Sequence, residues 1–450
     1  MTQSARSVAL DVLVAVAKDD AYANILLPTK IAAAHLDARD AGLATELCNG
    51  TLRGRDFYRA IISKCTDRDI SKIHSVVLSV LEMGVHQHVA MRVSTHALVN
   101  ESVNLVKASG MASVAGFTNA VMRRVTERSE QDWRQIVVEG ISDDTLQKAV
   151  LTSHPAWIVR ALTTALHADN RTGEIDSLLT ADNAPGPLGL VDLRTDGDAI
   201  DDVEPSTYSP IGYHLLASGN PNHVTSRSRG RIRVQDEGSQ LAALMLIQAE
   251  IATGSSQWLD MCAAPGGKSA VLAWSAEKNG AHLTSNELNP TRLSLVKTSL
   301  APWSDVTISH RDGRDFGADG AVFSRILVDA PCTGLGALRR RPESRWRKTP
   351  ADVAQLTGLQ EQLLLSAIDA LETGGVVAYV TCSPHVAETR GVVGSALKKR
   401  PAVVELDARK VLQSIVRNPI ELTGDSLSVQ LWPHAHGTDA MFVALLRKED

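Results

Sequence analysis

Two of the chain's five cysteines stand where a thiol can react. Cys332 lies in Val328-Asp-Ala-Pro-Cys-Thr-Gly-Leu-Gly336 and Cys382 in Tyr379-Val-Thr-Cys-Ser-Pro384, each just past a short apolar run. If those runs are neighbouring strands, both thiols open into one cleft, because open α/β sheets gather ligands at the carboxyl ends of their strands. Two thiols in one cleft call for nucleophilic chemistry through a thiolate. Cys48, Cys65 and the Cys262 side chain read as buried filler, the commoner fate of a cysteine. An odd cysteine count without regular spacing speaks against a disulfide framework and for a reducing compartment, so a cytoplasmic protein is expected.

Three further corners describe a cofactor. Leu259-Asp-Met-Cys-Ala-Ala-Pro-Gly-Gly-Lys-Ser269 runs from an apolar stretch through a Gly266-Gly267 turn into a helical segment, which brings backbone close to a ligand at a helix N-terminus. It is not a P-loop, since that motif needs glycine five positions before Gly267, where Cys262 stands. The dinucleotide pattern G-x-G-x-x-G is missing as well, and taken alone the segment also fits a plain strand–helix turn. Glu287, 27 positions after Asp260, ends the next apolar run and is placed to accept from a ribose diol. Asp312-Gly313 ends the run after that, where a carboxylate can meet an adenine amino group. Each acid by itself fits a solvated loop. Three in succession, without a pyrophosphate cradle, describe a nucleoside cofactor such as S-adenosylmethionine.

The patterning supplies a scaffold in three parts. Residues 1–130 read as helices throughout, as in Ile70 to Val89 and Thr95 to Ser109, with apolar stripes at helical spacing. Leu10, Leu13, Val14 and Ala17 make the first segment an amphipathic helix rather than a signal peptide. An all-α unit follows. Residues 131–230 combine a helix near Ser153 to His167, an apolar run Leu188 to Leu193 and turn-rich stretches, giving a small α+β module or a structured linker. From 231 to 450, short apolar runs alternate with helical stretches such as Ser269 to Lys278 and Val353 to Leu371. The runs are Gln257 to Ala263, His282 to Glu287, Val306 to His310, Arg325 to Ala330 and Val376 to Thr381, and Met441 to Leu446 adds a last strand. Such alternation predicts a parallel sheet with helices on both faces.

Composition narrows the function classes. With 44% apolar and 22% charged residues over 450 positions, the chain reads as an ordinary multidomain globular protein. No apolar run approaches the roughly 18 residues of a membrane span, so no membrane partner is expected; neither is a metal, and a monomer is. Lys and Arg number 46 against 51 Asp and Glu, a net charge of −5, which excludes a strongly basic chain. Basic residues nevertheless cluster. Arg339-Arg-Arg-Pro-Glu-Ser-Arg-Trp-Arg-Lys348 holds six of them and one acid, and Arg227, Arg229, Arg231 and Arg233 form a second stripe. A solvated face is the common fate of such runs; their place near the proposed cleft, with Trp346 interleaved, favours contact with RNA.

Asp260 to Ser269, Asp329 to Gly336 and Thr381-Cys-Ser383 together resemble the Sun (nucleolar-protein) family of RNA cytosine-C5 methyltransferases, whose paired Pro-Cys and Thr-Cys motifs are specific. Gln235-Asp-Glu-Gly-Ser-Gln240 and Arg292 are similar to that family too. Glu46-Leu-Cys-Asn-Gly-Thr-Leu-Arg53, Asn100-Glu-Ser-Val103 and Gly116-Phe-Thr-Asn-Ala-Val-Met-Arg123 resemble a NusB-like RNA-binding domain. The fusion resembles the family's bacterial 16S rRNA members of the Sun/Fmu type. It implies an all-α NusB-like domain over 1–130, a small α+β middle module over 131–230 and a C-terminal α/β Rossmann-like class I methyltransferase domain over 231–450.

The resemblance implies S-adenosylmethionine as cofactor, held by Cys262, Ala263, Ala264, Pro265, Gly266, Gly267, Lys268, Glu287, Arg292, Asp312, Gly313 and Asp329. It makes Cys382 the nucleophile that adds to C6 of cytosine, Cys332 the aid to its release and Asp329 the partner of the N3/N4 edge. Lys268 becomes a helper, although it also fits a plain helix-start charge, as Arg292 fits a surface charge. The sequence departs from the family at two places: Asp439-Ala-Met-Phe442 replaces Gly-Phe-Phe, and Pro384-His385 replaces an apolar pair, while Glu388 keeps an acidic position. His385 fits an ordinary loop histidine better than a group tuning Cys382. The expected substrate is a single-stranded or flipped cytosine, in 16S rRNA first, with tRNA or another rRNA position as the near alternative. A non-catalytic RNA-binding or antitermination factor is the distant one, and the paired cysteines speak against it.

Overall fold

Apolar residues recurring at helical spacing pack the N-terminal helices into two adjoining apolar clusters. The computed structural model describes residues 3–195, 198–216, 221–320 and 322–450, and it divides into two units. The first comprises Met1–Arg160, Leu179–Pro185 and Leu338–Arg347. Its long helices are Ala5–Lys18, Ala23–Ala33, Ala38–Lys64, Ser75–Val89, Thr95–Ala108 and Ala115–Thr126. Ser4 opens the first of them with a capping box, its hydroxyl accepting from the Ser7 N–H while the Ser7 hydroxyl accepts from the Ser4 N–H. Val8, Val12, Leu47, Leu81, Leu98 and Met122 are fully buried between the helices, each such side chain stabilising the unit by about 1.5–3 kcal/mol. The helix expected from Ile70 starts only at Ser75. Asp69 accepts from the Ser71 N–H (2.9 Å) and closes a single 3₁₀ turn, Ile70–Lys72, and His74 Nδ1 then caps Val76 (3.3 Å).

Residues 131–230 are divided between the two units. Their helices up to Arg160 belong to the helical unit, and the remainder is shared with the second.

The helical unit also corrects the reading of the basic run 339–348 as an RNA contact. Arg345 is completely buried inside this unit, donating to the carbonyls of Arg53 (3.0 Å), Ser153 (3.2 Å) and Asp182 (3.0 Å). Trp346 Nε1 donates to Asp56 (2.7 Å), with the Arg55 guanidinium stacked 3.6 Å from the ring centre. Arg347 donates to the Ala21 carbonyl and lies over Tyr22, and Arg339 is buried too. A guanidinium has five donors to satisfy once it leaves water, and carbonyl oxygens of three separate segments supply acceptors. These arginines are spent on the fold, while Arg341 stays exposed.

The second unit comprises Ala161–Leu178, Gly186–Ala337 and Lys348–Asp450. It begins with a small antiparallel sheet of β1 (Gly189–Asp192), β2 (Val203–Pro205), β3 (Gly212–Leu215) and β4 (Ile232–Val234), in the order β2-β3-β1-β4. The helix Glu237–Gln248 pins this sheet to the rest of the unit. Glu237 accepts from the N–H groups of Tyr208 (2.5 Å) and Ser209 (2.6 Å), and Gln240 donates to the carbonyls of Leu190 and Gln235 (both 3.1 Å). The second basic stripe is also partly spent. Arg231 pairs with Glu277 (3.2 Å), Arg233 donates to the Ser299 hydroxyl (2.5 Å), and both stack on Trp303. The Arg227 side chain lies outside the described residues.

The large sheet contains β5 (Gln257–Asp260), β6 (His282–Asn286), β7 (Val306–Ser309), β8 (Phe323–Asp329), β9 (Leu371–Thr381), β10 (Val403–Leu406), β11 (Val429–Gln430) and β12 (Phe442–Lys448). Its order is β10-β12-β9-β8-β5-β6-β7, with β11 paired to β12. The pairs from β9 to β7 are parallel, as the alternation predicts, whereas β12 runs antiparallel to both β9 and β10. The sheet is therefore mixed, because β12 inserts between two strands that run the opposite way. Strand order reverses at β5, the switch point beside which open sheets of this class bind ligands. Among the described residues, no helix is long and apolar enough to cross a membrane.

Arg345→Met should lower the stability of the helical unit by about 3 kcal/mol, since three buried carbonyls lose a charged donor. Urea denaturation checks this. The salt dependence of RNA binding should stay as in the parent protein, whereas a phosphate-contacting arginine would lower that slope.

Candidate active site

Parallel pairing sets Asp329, the last residue of β8, beside Val380 of β9. The chain leaving β8 then runs Ala330-Pro-Cys332 and the chain leaving β9 runs Thr381-Cys382, so the two cysteines emerge side by side with their Sγ atoms 3.5 Å apart. Gly336 lets the first of these loops turn back under the second. Its N–H donates to the Cys382 carbonyl and its own carbonyl accepts from the Ala440 N–H (both 2.8 Å). A Cβ there would lie 2.1 Å from the Ala440 oxygen, so only glycine fits. Phe442, in the segment that departs from Gly-Phe-Phe, lies opposite Thr381 and packs edge-on against Tyr379.

Lys268 reaches across from the first turn of the helix Gly267–Asn279 and donates to Asp329 Oδ2 at 2.8 Å. Burial pulls its ammonium towards neutrality, but the charge and hydrogen bond of Asp329 and the pull of a Cys382 thiolate outweigh it, so Lys268 titrates above its ordinary range. Cys332 is pushed well above a normal thiol by its hydrogen bond to Cys382, by burial and by the charges of Cys382 and Glu388. Cys332 thus holds its proton more tightly than an ordinary thiol, and Lys268 is close enough to Cys382 for a thiolate there to feel its positive charge. His385 does not take part as a cation. Burial lowers its pKa, and its ring Nδ1 accepts from the Ala387 N–H (3.2 Å) as part of the turn.

The cofactor corner is built from the ends of β5, β6 and β7. Gly266, at φ 104°, opens the helix Gly267–Asn279, and its carbonyl accepts from the Ser299 hydroxyl (2.9 Å). Arg292, with its side chain half exposed, touches the cofactor corner. It donates to the Ala264 carbonyl (3.0 Å) and lies 3.7 Å from Glu287, so it braces the loop Cys262 to Gly267 from behind. Glu287 is buried, spends Oε1 on the Asn289 N–H (2.9 Å) and keeps Oε2 towards Arg292. Both oxygens of Asp312 are held by Arg314 (2.9 and 2.5 Å), whose hydrogen bonds hold this carboxyl below its usual range. Gly313 admits Met261 and Leu363, which would crowd a Cβ to 3.0 and 2.7 Å. An acidic side chain ends or follows each of these three strands, and acids there suit a ligand with a ribose and a positive charge, as S-adenosylmethionine has.

Asn286 is a site residue that pattern reasoning missed. Its side chain donates to the carbonyls of Met261 (3.1 Å) and Arg311 (3.0 Å) and accepts from the Arg311 N–H (2.9 Å), lacing the ends of β5, β6 and β7 together. A buried amide closing an apolar run, directly before Glu287, was the available signal. Gln360 is another, donating to the Pro331 carbonyl (2.8 Å).

Residues 249–447 match the family model described as 16S rRNA methyltransferase RsmB/F, and residues 3–127 match the NusB family. Ribosomal RNA small subunit methyltransferase B of Pseudomonas putida is 30% identical, over 89% of this chain and 91% of that protein. The chain belongs to the RsmB/F family of 16S rRNA methyltransferases. A putative methyltransferase of Mycobacterium tuberculosis is 40% identical over 450 residues, covering 99% of this chain and 96% of that protein. Among solved structures, a methyltransferase homolog protein from Pyrococcus horikoshii matches with a TM-score of 0.55 and 20% identity, over 68% of this chain and 100% of that one, a likeness of fold alone. RsmB/F proteins are S-adenosylmethionine-dependent RNA methyltransferases, and this chain is one of them.

The RsmB/F site contains one carboxyl far from its ordinary range. Burial raises Asp260 from 3.8 to about 7, against the Ser269 hydroxyl that donates to it at 2.5 Å, and the nearby Asp329 charge adds to the rise. Between those two values the folded chain holds a proton that the unfolded chain has lost, so this group costs stability as pH rises from about 4 to about 7. Asp260→Asn should remove that part of the pH dependence, leaving the variant more stable than the parent at pH 8 relative to pH 4. Urea denaturation across that range measures it; parallel curves for the two proteins would refute the assignment.

Proposed function

We propose that this RsmB/F protein methylates C5 of a cytosine in RNA, in 16S rRNA first, through a covalent bond between Cys382 Sγ and C6 of the base. The observation that carries the reading is the pair of thiols, 3.5 Å apart, beside the Lys268–Asp329 ion pair. Cytosine C5 is a weak nucleophile. Addition of the Cys382 thiolate at C6 pushes electron density onto C5 and N3. Asp329 accepts from the N4 amino group with the oxygen that Lys268 does not occupy, and the Lys268 ammonium offsets the charge spreading to N3. When bound, S-adenosylmethionine supplies the electrophilic methyl group that C5 takes up.

Cys332 then changes role. Once Cys382 Sγ is bonded to C6 its charge is gone, and Cys332 loses the neighbour that held its proton. Cys332 releases that proton to water, takes the C5 proton as a thiolate, and the C6–S bond breaks with its electron pair returning to Cys382. Both cysteines end as they began. The small-subunit substrate is favoured by the names of the relatives and by the NusB-family match over residues 3–127.

Cys382→Ala should abolish both methylation and any covalent RNA adduct. Cys332→Ala should accumulate an adduct that survives denaturing electrophoresis, because the C5 proton is no longer removed. Full activity of Cys382→Ala would overturn the mechanism. Bisulfite mapping of rRNA from cells lacking the protein should lose one small-subunit 5-methylcytosine; an unchanged map would move the substrate to tRNA.

A further inference from the structure

Each reactive cysteine is followed at once by a hydroxyl residue, Thr333 and Ser383, and both hydroxyls end on the same side chain. Glu388 is fully buried. Its Oε2 accepts from the Thr333 hydroxyl (2.5 Å) and the Ser383 hydroxyl (2.6 Å), and its Oε1 accepts from the Thr333 N–H (2.8 Å) and Gln360 Nε2 (3.1 Å). The two hydroxyls also lie 3.1 Å from each other. Four donors on one carboxylate satisfy a charge that would otherwise be costly to bury. The turn carrying Glu388 is fixed in its own right. Its backbone carbonyl accepts from the Tyr379 hydroxyl (2.7 Å), and Arg390, two residues on, pairs with Asp169 (2.9 Å), which also accepts from Trp432 Nε1 (2.7 Å).

We propose that Glu388 is a positioning residue for the methyl transfer, a buried clamp that sets the approach of Cys332 to Cys382 by tying down the residue after each of them. This rests on the reading of the two cysteines given above. Sheet register brings the loops into the same region, but the thiols lie several bonds beyond the last paired residues, and small rotations of either loop would separate them by more than a proton transfer tolerates. The carboxylate removes that freedom. Its charge also acts on Cys332 in the direction that keeps the proton there until Cys382 is consumed. Glu388 touches neither base nor cofactor in this scheme.

The test separates thiol geometry from methylation. Diamide, a dithiol oxidant, is added to the RNA-free protein, and formation of a Cys332–Cys382 disulfide is followed by mass spectrometry, while kcat and the S-adenosylmethionine KM are measured on RNA. Glu388→Ala should slow disulfide formation at least tenfold and reduce kcat by about 10- to 100-fold, with the KM for S-adenosylmethionine within twofold. Glu388→Gln, which keeps the shape and most of the hydrogen bonds, should restore most of the disulfide rate. If Glu388→Ala does not fold, the double variant Thr333→Val/Ser383→Ala cuts the same ties from the other side and should show the same loss. A wild-type disulfide rate in the variant that folds overturns the proposal, even if kcat falls. Because that rate needs no RNA, absence of cytosine methylation in the parent protein would sink the reading of the reaction and leave the clamp to be judged by the disulfide rate alone.

Discussion

The parallel register between β8 and β9 is the constraint on which the site depends. A parallel pair sends both strand ends out in the same direction, so two loops far apart in sequence leave the sheet as neighbours. Asp329 beside Val380 means that the Pro-Cys and Thr-Cys loops start within one strand spacing of each other. A shift of one residue would turn Asp329 and the residues beyond it to the other face. Everything chemical depends on that placement: the thiol pair, the ion pair of Lys268 with Asp329, and the closeness of both to the ends of β5, β6 and β7.

The site is held by polar atoms more than by its apolar surroundings. Asn286 laces three strand ends, Arg292 braces the glycine turn, and the Glu388 carboxylate gathers donors from both cysteine loops and from Gln360. Buried polar groups of this kind are costly unless every one is paired, and once paired they allow few alternative arrangements. Apolar packing beneath them, with Leu259, Ile326, Val328, Tyr379 and Phe442 all essentially inaccessible to water, supplies the stability. Labour is thereby divided: the core keeps the sheet together, and the polar lacing fixes where thiols, carboxylates and ammonium stand.

Charge is used in the same local way. A chain of net charge −5 places acids at the cofactor corner and spends several of its arginines on carbonyl groups. Arg345 and Arg339 looked like a phosphate-binding run because a linear sequence displays every charge equally. Inside the helical unit both are buried, and Arg345 is a structural donor. The same buried charge that would weaken a fold when unpaired strengthens it where three carbonyl oxygens accept from it.

The alternation of apolar runs and helical stretches determined the α/β sheet, and helical periodicity determined the N-terminal unit, because those patterns are local and each residue's face is set by its neighbours in the chain. The paired Cys332 and Cys382, the glycine turn and the acid at Glu287 were legible for the same reason: chemistry of that kind needs particular residue types at strand ends. What the sequence could not determine was partnership across distance. The antiparallel insertion of β12, the lacing by Asn286, the burial of Arg345 and the convergence of Thr333, Ser383 and Gln360 on Glu388 all join residues whose spacing carries no period. Only tertiary structure decides which buried donor meets which acceptor, since that choice rests on where separate elements come to lie and on the cost of leaving a polar atom unpaired.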